Sequence, residues 1–223
     1  DNAEWGEAYK NLHLRVNFAW AWDAQNLGKS LFTTFGYDGI FVIGSDGKTR
    51  YSVIDGQLRL KPLDAWLGVD PRPALLSALK QSNGKPVSRL VAVGGQLTLL
   101  AAEEIQPGGD SSVTPDAGPA SLMVFADQLS PDKLHNMGLE YGIDDVRLLP
   151  DMDNQQSMLK VPAIEGDIYL TWHNGNPGGA LLTWILPILI FLMCFTLVLS
   201  FILMRNALLK ARLNDESTNM LEQ

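Results

Sequence analysis

The side chains able to do chemistry are few and scattered. Among 223 residues there are three histidines, His13, His135 and His173, and one cysteine, Cys194. Their separations fit no metal-ligand pattern, and a single thiol allows no internal disulfide. The chain has no His-Glu-x-x-His, no paired-cysteine motif, no phosphate loop and no Gly-x-Ser-x-Gly elbow. Catalytic residues, metals and cofactors are therefore not expected within it. What remains is recognition chemistry. Arg50, Tyr51 and Ser52 follow an Asp46-Gly47 turn, and strict alternation places Arg50 and Ser52 on one face and Tyr51 on the other. A guanidinium turned inward is what an anionic ligand such as a carboxylate needs, whereas one turned outward is simply solvated. Arg89, on another strand-like run, is the same choice again. Trp5 and Tyr9 share a helical face, where they line a pocket over the sheet or serve as core. Trp20, Trp22 and Asp23 read as a packed turn between helices, and His13 and Arg15 as surface.

The elements that must position these residues follow from periodicity and punctuation. Residues 1–11 have a helical pattern, continued by Leu12 and Val16, and a second helix sets Leu27, Leu31 and Phe35 on one face with Gly36 as its C-cap. Asp46-Gly47 joins strands over residues 40–43 and 49–54. Helical pattern then runs from Pro62 to Ser82, broken at Asp70-Pro71. Gly94-Gly95-Gln96 separates strands at 87–93 and 97–105. Residues 107–119, rich in Pro, Gly and Asp, form a surface excursion. A strand at 121–129 precedes Ser130-Pro131-Asp132, which caps a helix to about Tyr141. Short strands near 146–149, 158–162 and 167–172 complete an α+β domain with an antiparallel, PAS-like sheet backed by a long N-terminal helix.

Charge and hydropathy divide the chain. The net charge is −8, from 17 basic and 25 acidic residues, which argues against nucleic acid as a partner. Residues 180–204 carry no charge, and as a helix they extend about 37 Å, enough to cross a hydrocarbon core of ~30 Å. Arg205, Lys210 and Arg212 follow the run, and no Lys or Arg lies between Val161 and Ala180. The positive-inside rule then puts the C-terminal tail in the cytoplasm and residues 1–179, which hold the whole net −8, outside it. Trp172 and Trp184 suit the outer interface. Pro187 lies near the outer end of the span, and Thr196 and Ser200 form a small-xxx-small pair that brings helices together. In the tail, Asn206, Leu209, Leu213, Glu216 and Met220 repeat at three-four spacing, as in a short dimeric coiled coil or an ordinary amphipathic helix.

Several segments resemble the fourth class of the CHASE extracellular sensory domains. They are Asp1-Asn2-Ala3-Glu4-Trp5-Gly6-Glu7-Ala8-Tyr9, Asn26-Leu27, Phe35-Gly36-Tyr37-Asp38-Gly39-Ile40-Phe41-Val42, Asp46-Gly47, Tyr51-Ser52, and Leu170-Thr171-Trp172 with Pro177-Gly178. The resemblance implies a sensor set between two transmembrane helices in a bacterial inner membrane. Its cytoplasmic output is often a diguanylate cyclase or a cyclic-di-GMP phosphodiesterase (GGDEF and EAL domains). On this view an earlier span precedes Asp1 and the effector follows Gln223.

The expectation is thus a periplasmic domain over 1–179, a span over 180–204 and a cytoplasmic signalling-helix stub over 205–223. Its partners would be an unknown small molecule or periplasmic protein, the lipid bilayer, and a second copy in a homodimer. Trp5, Tyr9, Arg50, Tyr51, Ser52 and Arg89 are the candidate ligand contacts. Trp172, Pro177, Pro187, Leu209 and Leu213 are the candidate relay. A tethered protein-binding module without signalling output is the competing reading.

Overall fold

The N-terminal segment folds as separate turns of helix rather than one long rod. In the computed structural model, which describes residue 3 and residues 5–149, 157–173 and 177–221, α1 (Gly6–Ala8) passes directly into a π-helical turn, Tyr9–His13, and a second π turn spans Ala19–Asp23. Asn17 causes the break. Its N–H donates to the Asn11 carbonyl at 2.8 Å, closing the first segment, and its Oδ1 accepts from Trp20 N–H at 3.3 Å, opening the second. The expected long helix is corrected accordingly, and residues 1, 2 and 4 of it lie outside the described residues.

Helix α2 (Lys29–Phe35) ends on Gly36, whose φ of +77° and N–H bond to the Phe32 carbonyl make it the expected C-cap. Leu31 is buried, but Phe35 is not: it lies 65% exposed beside Tyr37. Strands β1 (Gly39–Ile43), β2 (Thr49–Ile54) and β3 (Gln57–Leu58) follow, then α3 (Leu63–Leu67) and α4 (Arg72–Gln81) on either side of Asp70-Pro71. Next come β4 (Val87–Val93) and β5 (Gln96–Glu104), joined by Gly94-Gly95, both at positive φ as a two-residue hairpin turn requires. After the 107–119 excursion come β6 (Leu122–Leu129) and α5 (Pro131–Glu140), capped by Ser130 Oγ accepting Lys133 N–H at 3.2 Å. β7 (Asp144–Leu149), β8 (Ser157–Ala163), β9 (Gly166–His173) and α6 (Pro177–Leu221) end the order.

Six strands form one antiparallel sheet in the order β3-β2-β1-β6-β5-β4, and β7-β9-β8 form a second. Both faces of the larger sheet are covered, so β1 is buried along its whole length. Ile40, Val42, Tyr51 and Val53 meet Leu12, Leu27 and Leu31 from the N-terminal turns. Phe41, Ile43 and Ile54 meet Leu63, Leu75 and Leu79 from α3 and α4. Each apolar layer removes side chains from water at about 25 cal/mol per Å² buried.

The chain divides into two units, residues 1–174 and 175–223. The second is built on α6, which is helical from Pro177 to Leu221 and includes a stretch, Leu181–Lys210, long and apolar enough to cross a membrane. Every side chain of that stretch is exposed, as lipid contact demands and a soluble core does not. Helix continues through Pro187, whose missing N–H leaves the Thr183 carbonyl without its usual donor.

Candidate functional site

A β-bulge overturns the alternation expected at Arg50. Val42 pairs with Tyr51, but the next residue, Ile43, pairs with Thr49, so Arg50 is the extra residue of β2. Arg50 and Tyr51 therefore both reach the N-terminal layer, while Ser52 turns away from it. Arg50 Nη1 donates to the Leu14 carbonyl at 2.6 Å and the His13 carbonyl at 3.5 Å, and Nη2 lies 3.5 Å from Asp46 Oδ1. Its guanidinium caps the end of the first helical segment. Tyr51 is fully buried and donates its hydroxyl to the Leu27 carbonyl at 2.9 Å. Burial, with a smaller contribution from the Asp23 charge, raises the pKa of the Tyr51 phenol far above its ordinary value. Ser52 Oγ sits between the carbonyls of Arg59 and Lys61 and accepts the Lys61 N–H at 3.0 Å. The three consecutive candidates thus act as internal fasteners.

Trp5 and Tyr9 part company too. Trp5 is 47% exposed and leans on Trp20, whereas Tyr9 is buried, stacks on His13 at 4.5 Å and accepts the Asp116 N–H at 2.9 Å. Tyr9 N–H bonds the Trp5 carbonyl at 3.0 Å in an ordinary α turn, so Trp5 sits one turn earlier, at the rim, and the π turn begins only at Tyr9.

His13 is a core residue, 2% exposed, not a surface one. Its Nδ1 accepts the Ser121 backbone N–H at 3.3 Å, which leaves the proton on Nε2 to face Asp116 Oδ1 at 3.2 Å. Ser121 Oγ donates to the carbonyl of His13 itself at 3.0 Å. Serine, histidine and aspartate are in sequence of contact, yet Ser121 is fully buried and its hydroxyl proton is already bound, so no nucleophile is presented. The arrangement is a clasp. With Lys10 on Asp110 at 3.4 Å, it straps the 107–119 excursion across the first helical segment, over a cavity of about 300 Å³ bordered by Tyr9, His13, Gln106 and Asp116.

A second polar knot joins α5 to the sheet. Lys133 Nζ meets Asp38 Oδ2 at 2.8 Å and Asp127 Oδ1 at 2.5 Å, and Asp38 also accepts Gln128 N–H at 2.8 Å. Burial pulls the pKa of this ammonium down, but the hydrogen bonds and charges of Asp127 and Asp38 outweigh it, leaving it above its ordinary value. Neither knot was visible in spacing. The Ser130 cap placed Lys133 in a first helical turn, but nothing in the sequence named its partners.

Arg89 stands apart from the other candidates. It is exposed on β4, donates to the Ser88 carbonyl at 2.8 Å, and borders a cavity of about 560 Å³. The relay candidates fall in two places. Trp172 is half-buried on β9, whereas Pro177, Pro187, Leu209 and Leu213 all lie in α6, with Leu209 exposed. Among the described residues no cluster of His, Cys, Asp or Glu could hold a metal ion.

An α+β domain with antiparallel sheets is followed in the same chain by a helix long and apolar enough to cross a membrane. The chain belongs to the CHASE4 domain family, which it matches over residues 1–149. CHASE4 domains are extracytoplasmic sensory domains. No curated protein matches the chain.

Proposed function

We propose that residues 1–179 are the periplasmic sensing region of a bacterial inner-membrane signal transducer, with residues 180–204 as its span and the tail in the cytoplasm. The observation that carries this reading is the succession, in one chain, of a CHASE4 domain and α6 with its apolar Leu181–Lys210 stretch. Flanking charge supports the orientation, since Arg205, Lys210 and Arg212 all follow the apolar run. The five strands β2-β1-β6-β5-β4, with the first and last strands of that set adjacent, are consistent with the PAS-like sheet that the resemblance implies. A ligand or partner protein biases the outer domain between two arrangements, and the change passes through Trp172, Pro177 and Pro187 to Leu209 and Leu213 in a dimeric tail. The effector it drives is a cyclic-di-GMP cyclase or phosphodiesterase, as in similar receptors.

Two fusions after Gln223 test the orientation: green fluorescent protein should fluoresce and alkaline phosphatase stay inactive, and the reverse result overturns it. For transmission, residues 1–223 are joined to a diguanylate cyclase reporter, and single cysteines are placed at 206, 209 and 213 in a Cys194→Ser background. Crosslinked dimers, and a cyclic-di-GMP level altered by loosening the outer domain with Asp116→Ala, are expected. Unchanged output and no crosslink would leave only a tethered module.

A further inference from the structure

The two arginine candidates differ in what is left for a ligand. Arg50 is committed to the Leu14 and His13 carbonyls and to Asp46. Arg89 meets only its neighbour's carbonyl and has no carboxylate within ion-pair distance among the described residues. It lies at the rim of the cavity of about 560 Å³, within the ~300–1,000 Å³ typical of small-molecule sites.

That cavity is unlike its neighbours. Its walls are mostly apolar: Ala74 of α4, Leu90 of β4, Leu99 of β5, Val161 of β8 and Ile164 at the β8–β9 turn. Among the described residues Arg89 is the one charge in the lining, and no acidic side chain of theirs borders it. Three smaller cavities each carry a carboxylate: Asp116, Glu103, and Glu165 with Asp167. In a chain of 25 acidic and 17 basic residues, a cavity with a lone cation and no acid selects an anion.

The backbone adds donors. β4 is the edge strand of the larger sheet, and the Leu90 carbonyl points off that edge, where it accepts Ile164 N–H at 2.8 Å. Antiparallel alternation sends the N–H groups of Leu90 and Ser88 off the same edge. Arg89 stands opposite Leu100 in the ladder and Leu90 opposite Leu99, so their side chains leave β4 on opposite faces and the cavity wraps the strand. One guanidinium fork with edge N–H groups suits a monoanion; a phosphate dianion asks for more cations.

We propose that this cavity binds a small monocarboxylate with an apolar body, its carboxylate held by Arg89 and its body against Leu90, Leu99 and Val161. The proposal rests on the sensory reading of the domain and names the ligand class of that function. It also places the site beside the second sheet, whose β9 leads to α6.

Calorimetric titration of the whole chain in nanodiscs tests it, with hydrocinnamate as probe, hydrocinnamyl alcohol as its neutral counterpart and empty nanodiscs as blank. The carboxylate should bind saturably and the alcohol about tenfold more weakly, the loss expected for a charge-assisted contact. Arg89→Gln should weaken hydrocinnamate by about the same factor and leave the alcohol unchanged. Leu99→Glu, at a half-exposed wall, should also weaken it, whereas Arg50→Gln should not. Equal binding of acid and alcohol, equal binding by wild type and Arg89→Gln, or no binding overturns the site. Any of these leaves the fusion and crosslinking tests of the sensory reading untouched. Conversely, Arg89-dependent binding with no change in reporter output keeps the site and sinks the relay.

Discussion

His13 and Asp116, 103 positions apart in the chain, meet at 3.2 Å and fix the longest irregular segment of the outer domain to its N-terminal turns. The clasp is directional, because the Ser121 N–H occupies Nδ1 and leaves only Nε2 to reach Asp116. Tyr9 adds a second hold by accepting the Asp116 N–H. Apart from Val113, which packs against the core, and the Lys10–Asp110 pair, a segment rich in Pro, Gly and Asp has little else to order it, so these bonds limit its exchange.

Removing the imidazole should therefore release the excursion before it unfolds the domain. His13→Ala leaves the buried Ser121 N–H without its acceptor and should cost about 2 kcal/mol of stability. Asp116→Ala, at a half-exposed position, should cost well under that. Both should speed hydrogen exchange across residues 107–119 more than across β1 or β6. Uniform exchange, or protection equal to wild type, would refute the clasp.

Much of this fold was legible beforehand, because its punctuation is local. Asp46-Gly47, Gly94-Gly95 and the Ser130 cap each specify a turn or a helix start from two or three adjacent residues, and all three are found where expected. The site was less legible for two separate reasons. Alternation assumes an unbroken ladder, and the bulge at Arg50 moved that side chain to the other face. His13 looked like a surface residue because the residues that hold it, Asp116 and Ser121, lie more than a hundred positions away.

Tyr51 offers a test through pH. Its phenol is buried, with a pKa raised far above the usual value of about 10 by burial and by Asp23. The folded state holds this proton more tightly than the unfolded state does. The resulting stability is complete below about pH 10 and is lost as pH rises toward the folded pKa, since only the unfolded phenol then ionises. Tyr51→Phe strands the Leu27 carbonyl and should be about 1–2 kcal/mol less stable near neutrality. Above pH 10 the gap should narrow, because the variant lacks the ionisation that favours unfolding. A gap constant from pH 7 to 11 in chemical unfolding curves would contradict the assignment.

Gly138 provides the sharpest contrast between helix propensity and packing. It lies in α5, where alanine ordinarily gains about 1 kcal/mol over glycine. A Cβ there, however, would stand 2.5 Å from the Ile143 carbonyl oxygen and 2.6 Å from Val146 Cγ2. The first of these atoms is backbone, in a residue whose N–H is bonded to the Gly138 carbonyl at 2.8 Å, so relief requires moving the chain at the α5–β7 junction rather than turning a side chain. Overpacking of this kind costs about 1–3 kcal/mol and should outweigh the propensity gain. Gly138→Ala should accordingly lower the unfolding midpoint of the solubilised chain and disturb the α5–β7 junction. Gly142, four residues on, has open space around its Cβ position but a φ of +68°. There Gly142→Ala should cost about 1 kcal/mol from backbone strain alone, with no repacking of Val146. A Gly138→Ala variant at least as stable as wild type would mean that α5 and β7 approach less closely than 2.5 Å contact requires.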